Sequence, residues 1–310
     1  MSKVLIQLIT GAIVSFVIFF SCSNAEISDS TTEEQKWKDV TVDDGNSLLW
    51  KIEGNGCVPS YMYGTMHLIE EEYYNFTDPM AERVMGSDAI IMEVGGMPDP
   101  FAALEMMTLD SGNVADYFTK EQMTELLAFM DSEMGVTTEM FHKMYGGMKP
   151  FFIMQNITQL NFEGPTESYD LTIMQLAGEN EIPLIGFETF EQQLGFFDAV
   201  SQEDMASMIM ESIQDPKGQR KEMKKLMKLY SKQKVDKFIP LMTKQSPEFM
   251  QFADLFLYDR NKAWIPTLKK EISDKQCFVA VGAAHLFGEG GVIDLMEKEG
   301  YTITPISTDF

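Results

Sequence analysis

Two histidines stand in matched settings near opposite ends of this 310-residue chain. Tyr61-Met62-Tyr63-Gly64-Thr65-Met66-His67 is a short apolar run closed by Gly-x-x-His. Phe278-Val279-Ala280-Val281-Gly282-Ala283-Ala284-His285 repeats that arrangement. The chain contains only three histidines, so the repeat accounts for two of them. In open α/β sheets the carboxyl ends of strands line the ligand crevice, and glycine there lets backbone or ligand approach closely. Two such ends can bring two imidazoles to one site. Glu93, near the end of Ala89-Ile90-Ile91-Met92-Glu93-Val94, and Glu188, after Ile182-Pro183-Leu184-Ile185-Gly186-Phe187, add carboxylates at two further strand ends.

Two neutral imidazoles and a carboxylate make a facial set that suits Mn²⁺, Fe²⁺, Co²⁺ or Zn²⁺. A metal held this way lowers the pKa of bound water to about 7 and supplies hydroxide for hydrolysis. His67 and His285 are then metal ligands, with Glu93 a third ligand or the general base for water. The competing reading is structural: the glycines serve tight turns, and the two imidazoles only hydrogen-bond strand ends. No His-Glu-x-x-His, no cysteine-based zinc spacing and no Gly-x-Ser-x-Gly elbow occurs. His142, within the helical stretch Thr138 to Met144, has no partner motif and reads as a surface or boundary residue, with closure of the site as its functional alternative.

The elements that must position these groups follow from pattern. Leu48 to Ile52 and Ser60 to Tyr63 read as strands joined through an Asn55-Gly56 turn. Thr77-Asp78-Pro79 opens a helix to Met85 with Asp78 as its cap. From Pro98 to Pro247 the pattern is mostly helical, with capping boxes at Thr119-x-x-Gln122 and Thr189-x-x-Gln192 and helices over 149–160 and 168–179. Ser246-Pro247 starts a helix through Phe256, Arg260 and Trp264; residues 289–299 form the last helix, and Tyr301 to Ile306 a final strand. The sum is one α/β domain over residues 46–310, a central mixed sheet flanked by helices with a helical insertion.

Composition narrows function. Asp and Glu number 48 against 24 Lys and Arg, a net charge of −24, which repels phosphate backbones and argues against nucleic acid as a partner. Nine of the basic residues fall between Pro216 and Phe238, a solvated helix face or, alternatively, a contact for anionic lipid or an acidic partner. The 25 methionines read as filler of irregular core gaps.

Residues 1–21 read as a secretory signal: Lys3, an apolar run from Val4 to Phe20, then Ser21-Cys22. Phe20-Ser21-Cys22 resembles a relaxed lipobox, which makes Cys22 the lipidated first residue and the membrane a partner through that anchor; simple cleavage, or retention of the segment as a spanning anchor, is the alternative. Residues 22–45 follow as a polar, acidic tether, and the site belongs at the cell envelope, facing the periplasm or the cell surface. Cys57 and Cys277 each precede one Gly-x-x-His strand, so a disulfide and two unpaired thiols are both open.

These residues carry a family resemblance. Leu49-Trp50-Lys51-Ile52 with Tyr63-Gly64-Thr65-Met66-His67 resembles the opening of the TraB/GumN family, and Ile185 to Leu194 its middle block. Arg260-Asn261-x-x-Trp264 and Val281-Gly282-Ala283-Ala284-His285-Leu286 resemble its two closing blocks, so the likeness spans residues 47–306 in order. The family includes Tiki-type metalloproteases and is distantly similar to erythromycin esterase and ChaN haem-binding folds. The resemblance implies a mixed α/β sheet and a divalent metal, Mn²⁺ or Co²⁺ foremost, with His67, Glu93 and His285 on its metal positions. Glu188, Arg260 and Asn261 match other characteristic positions. Arg260 is then suited to hold a substrate carboxylate or an oxyanion, with Asn261 and Glu188 at the substrate end; the alternative for Arg260 is a buried pair with Glu188 or Glu93. The function implied is a metal-dependent hydrolase, a peptidase on peptide or protein substrate. The rival is a non-catalytic binder of haem, a peptide signal or another small ligand in the same crevice.

Overall fold

Unbroken apolar runs such as residues 89–92 and Cys277–Gly282 suit strands covered on both faces, because neither pleat direction meets water. The computed structural model bears this out and describes residues 39–96, 100–245 and 252–308. The expected signal segment, Cys22 and the Ser246-Pro247 helix start lie outside the described residues. The strands are β1 (Leu49–Glu53), β2 (Ser60–Thr65), β3 (Ile69–Glu70), β4 (Ala89–Val94), β5 (Thr166–Glu167), β6 (Leu184–Glu188), β7 (Cys277–Gly282) and β8 (Thr302–Ile306). Six of them form a sheet in the order β6-β4-β7-β2-β1-β8, and β3 pairs with β5 separately. Within the large sheet β2, β4, β6 and β7 run parallel, while β1 is antiparallel to both β2 and β8. The mixed sheet flanked by helices is therefore the observed architecture.

Period-two alternation sends the two sets of strand side chains into different cores. Leu49, Tyr63, Ile90, Met92, Phe278 and Ala280 pack on one face with helices Asp78–Met85, Tyr169–Glu179 and Pro216–Ser231. Trp50, Met62, Ile91, Val279 and Val281 pack on the other with helices Asp259–Glu271 and Val292–Lys298. A separate helical core joins Leu126, Phe141, Ile153 and Ile209, from four helices, and represents the helical insertion. Met80, Met92, Met130, Met227 and Met296 are all buried in these cores, the gap-filling use expected of them.

Several boundaries differ for local reasons. Thr77, not Asp78, occupies the cap position before Asp78–Met85, and its hydroxyl donates instead to the Thr308 carbonyl at 3.2 Å. The basic stretch is broken at Lys232, giving helices Pro216–Ser231 and Val235–Gln245. In the first of these Leu226, Met227 and Tyr230 face the core while Lys221, Lys224, Lys225 and Lys228 are exposed, the solvated face. Docked structure begins before Leu48: Thr41 bridges Ile306, and Asp39 pairs with Lys51 at 3.1 Å and Arg83 at 3.0 Å. Cys57 and Cys277 are both free thiols, although Cys57 packs against the core that contains Cys277. Burial pushes the Cys277 thiol up to about 12, so it is inert at neutral pH. No helix among the described residues is long and apolar enough to cross a membrane.

Gly64 is where two elements touch. A Cβ there would lie 3.1 Å from the Ala283 Cα and 3.1 Å from Leu286 Cδ1, so the turn carrying His285 rests directly on β2. Gly64→Ala should cost about 1–3 kcal/mol through that overpacking. The measurement is a lowered urea midpoint with unchanged slope.

Candidate functional site

Parallel pairing decides which chain ends meet. Thr65 of β2 lies opposite Gly282 of β7, so the two Gly-x-x-His segments leave adjacent strands at the same sheet edge. On the other side of β7 comes β4 with Glu93 near its end, and then β6, where Val94 faces Glu188. Four neighbouring strands thus deliver His67, His285, Glu93 and Glu188 to one edge. Beyond β7 the chain winds into a single helical turn, Ala283–Leu286, which buries His285 to 4% exposure. His67 stays at the mouth with 63% of its side chain exposed.

The focus is Gly282. A Cβ built there would lie 3.2 Å from Glu93 Oε1, 3.7 Å from His67 Nε2 and 3.7 Å from His285 Cδ2. The backbone of Gly282, φ −51° and ψ 136°, is open to any residue, so space rather than conformation calls for glycine. His285 Nε2 and Glu93 Oε1 are 3.7 Å apart, a span that one ion with ligands at about 2.0–2.2 Å can bridge.

Both rings are held by their other nitrogen. Asn261 Nδ2 donates to the carbonyls of His285 (3.1 Å) and Gly290 (3.0 Å), which fixes the amide. Asn261 Oδ1 therefore accepts from His285 Nδ1 at 2.7 Å, which leaves the Nε2 lone pair to accept from Arg260 Nη1 at 3.2 Å. Burial, with Arg260 and His67 adding to it against the pull of Glu93, pushes the His285 imidazole down to about 4, so it is neutral at physiological pH. His67 Nδ1 donates to Asp170 Oδ2 at 3.0 Å, and Thr65 Oγ1 donates to Asp170 Oδ1 at 2.9 Å. Desolvation works against protonation of His67, but Asp170 and then Glu93 outweigh it and raise its pKa, an effect that water at the exposed ring partly screens. A metal at this Nε2 would compete with a proton.

Arg260 lies at the centre of the buried charges. Its Nε donates to Glu188 Oε1 at 2.9 Å, and its Nη2 donates to Glu93 Oε2 and Glu188 Oε2, each at 2.8 Å. Its Nη1 donates to the Phe256 carbonyl at 3.0 Å and to His285 Nε2 at 3.2 Å. These contacts use all five guanidinium N–H groups. Arg260 is thus in the buried pair that the sequence left open, with both carboxylates at once, and no N–H remains for a substrate. Asn261 is fully buried and orients His285, and Glu188 also accepts from Trp264 Nε1 at 2.8 Å. Burial favours a neutral Glu93, but His285, His67, Arg260 and the Gly282 N–H prevail and hold its carboxyl far below the usual range. So acidic a group is a poor base and a good cation ligand.

Two carboxylates against one guanidinium leave an excess negative charge in this buried centre. His67 Nε2 and Glu93 Oε1 face the space above Gly282, while His285 Nε2 is engaged by Arg260 Nη1 and would have to exchange that bond for a cation. Among the described residues no three His, Cys, Asp or Glu side chains form, as placed, a group that could hold a metal ion. His142 is exposed on helix Thr138–Tyr145, away from these groups. A crevice of about 430 Å³ opens at the site, with His67, Glu93, Asp170 and Gln193 at the site end and Gln155, Thr158, Gln159 and Ser168 also in its wall. Asp170 and Gln193 escaped sequence reasoning. Asp170 sits in the first turn of Tyr169–Glu179, where an acidic residue looks like ordinary helix-end chemistry, and only the fold puts it beside His67.

The opposed environments of the two rings have a measurable outcome. In metal-free protein at pH 7, histidine ¹⁵N spectra should show His67 protonated on both nitrogens and His285 as the neutral Nδ1–H tautomer. A neutral Nε2–H tautomer at His285 would contradict the Asn261 assignment, and a doubly protonated ring would contradict the effect of its burial.

Known proteins agree with this arrangement at the level of family. A sequence model of the TraB/PrgY/gumN family matches residues 48–305. The uncharacterized protein YbaP of Shigella flexneri is 22% identical over 262 residues, covering 81% of this chain and 94% of its own length. No solved structure matches, so the expected likeness to ChaN and erythromycin esterase folds has no support from that side. The strand ends that gather His67, Glu93, Glu188 and His285 all fall inside the matched region: the chain belongs to the TraB/PrgY/gumN family.

Proposed function

We propose that this protein is a divalent-metal-dependent hydrolase acting on a peptide or protein substrate at the cell envelope. The observation that carries the reading is the convergence of His67 Nε2, His285 and Glu93 Oε1 on the space above Gly282, with each ring fixed through its Nδ1. Metal ligands are commonly oriented in this way by a carboxylate or amide behind them. When bound, Mn²⁺ or Co²⁺, with Zn²⁺ or Fe²⁺ also suited, would polarise a scissile carbonyl and lower the pKa of water. His67, His285 and Glu93 would hold it. Asp170 and Asn261 keep the imidazoles aimed, and Arg260 keeps Glu93 ionised while bracing it against Glu188. Arg260, Glu188 and Asn261 therefore act on the site by positioning, and the substrate meets the crevice wall instead. The charged start, apolar run and Cys22 support membrane anchorage and the envelope setting. The acidic surface argues against nucleic acid.

Purified full-length protein should carry one divalent ion per chain by elemental analysis and cut members of an unbiased peptide library. His67→Ala and His285→Ala should lose both properties. Metal uptake without cleavage would leave the non-catalytic binder; no uptake after reconstitution would sink the proposal.

Two further variants separate ligand from support. Gly282→Ala places a methyl among the three donors without backbone strain, so metal affinity should collapse while circular dichroism is unchanged. Asp170→Asn should weaken metal binding about 10–100-fold, the usual effect of removing a partner behind a ligand.

A further inference from the structure

The crevice in front of the site is lined unlike the rest of the molecule. Met66, Met92, Met154, Met174 and Met223 come from five different elements and meet around its 430 Å³. Of these only Met92 is fully buried; the others are half-buried in the wall. Methionine is unbranched and polarizable, so a wall of thioethers reshapes itself around flexible apolar groups of differing shape. The volume lies within the ordinary range for small-molecule and peptide subsites.

At the polar end stands Gln193, which the metal chemistry does not use. Its Nε2 donates to Glu93 Oε2 at 3.0 Å. Both Glu93 oxygens already accept, Oε2 from Arg260 Nη2 and Oε1 from the Gly282 N–H, so the amide group facing them is the donor and cannot be flipped. Gln193 Oε1 then has no hydrogen-bond partner, although the residue is only 8% exposed. An unpaired buried acceptor costs about 1–3 kcal/mol and is a rare feature that calls for a donor. Among the described residues lining the crevice there is no lysine or arginine, and its charged groups are Glu93, Asp170 and the Asp170-bound His67. A ligand with a carboxylate head, whether a fatty acid or the propionates of haem, finds no free cation there. A ligand that brings an N–H finds Gln193 Oε1.

We propose that this crevice is the specificity pocket for a straight-chain apolar side chain of a peptide, methionine- or norleucine-like, whose backbone N–H donates to Gln193 Oε1. The proposal rests on the hydrolase reading in that it names the substrate class of the same site. Gln193 is here a specificity residue that touches substrate directly, and the methionine wall selects length and flexibility.

The test is a binding measurement that needs no turnover. Full-length protein labelled with [methyl-¹³C]methionine and stripped with EDTA is titrated with blocked tripeptides, acetyl-Ala-X-Ala-amide, where X is Gly, Val, Met or norleucine. The methyl signals of Met66, Met154, Met174 and Met223, assigned by single Met→Leu variants, should move with X as Met or norleucine. The Kd should be at least tenfold lower for these than for Gly, with Val between. An ester analogue, in which oxygen replaces the N–H of X, should bind about tenfold or more weaker. In Gln193→Leu the difference between amide and ester should vanish. The wild-type comparison stands even if that variant fails to fold.

Equal binding of the Gly and Met peptides, no binding of any peptide, or amide preference surviving in Gln193→Leu would overturn the proposal. So would haem or palmitate moving the same methyls at lower concentration than the peptides do. The two readings fail separately. Peptides that bind with this preference but are never cut in metal-loaded protein sink the hydrolase alone. A metal-loaded protein that cuts peptides without regard to X sinks the pocket alone.

Discussion

The Arg260 guanidinium is the tie on which the site depends. It joins β4 through Glu93, β6 through Glu188 and the turn after β7 through His285, and it does so from a helix on one face of the sheet. Burying such a group is costly unless every donor is matched, and here every donor is. Its charge also keeps Glu93 ionised in a low-dielectric setting where a lone carboxyl would take up a proton. The face of the guanidinium lies against Trp264 and Phe196, at 5.0 and 5.3 Å from the ring centroids. Trp264 in turn tilts against the His285 ring at 4.5 Å and donates to Glu188, so aromatic packing and ion pairing restrain the same few atoms.

Around that tie the sheet supplies distance control. Parallel neighbours hold strand ends about 4.8 Å apart, close enough for side chains on successive strands to share one target. Glycines then remove the obstacles. Gly282 leaves room for three donors, Gly64 lets the His285 turn settle on β2, and Gly95 and Gly186 allow β4 and β6 to approach where a Cβ on either would strike the other's backbone. A π-helical stretch, Asp254–Tyr258, leads into the Arg260 helix and presents the Phe256 carbonyl to Nη1. Such widened turns often mark functional segments.

Much of this was legible in the sequence, for a physical reason. Matching Gly-x-x-His runs advertise matching strand ends, and strand pairing of β2 with β7 follows from two buried apolar runs. Both capping boxes formed with their reciprocal bonds because their signal is local, a hydroxyl and an amide three residues apart. The roles of Arg260 and Asn261 were harder to read. Their residue types suit a substrate anion as well as they suit a carboxylate or a histidine of the same chain, and only burial decides between these. Asp170 and Gln193 carry no local mark, because each acts on a residue about a hundred positions away. The short pairing of β3 with β5 is too brief to imprint a period.

The asymmetry between the two imidazoles is the last consequence of the architecture. One ring sits at the mouth, exposed and charged through Asp170; the other is buried, neutral and clasped by Asn261. Had both been exposed, solvent would loosen the geometry; had both been buried and charged, desolvation would oppose folding. Dividing them keeps a fixed ring inside, its Nε2 against Arg260, and a dischargeable ring at the entrance. The buried carboxylates Glu93 and Glu188 exceed their single guanidinium by one charge, so the centre is short of positive charge. Folding stability and site chemistry therefore draw on the same electrostatic deficit, and Arg260 sets how large that deficit is.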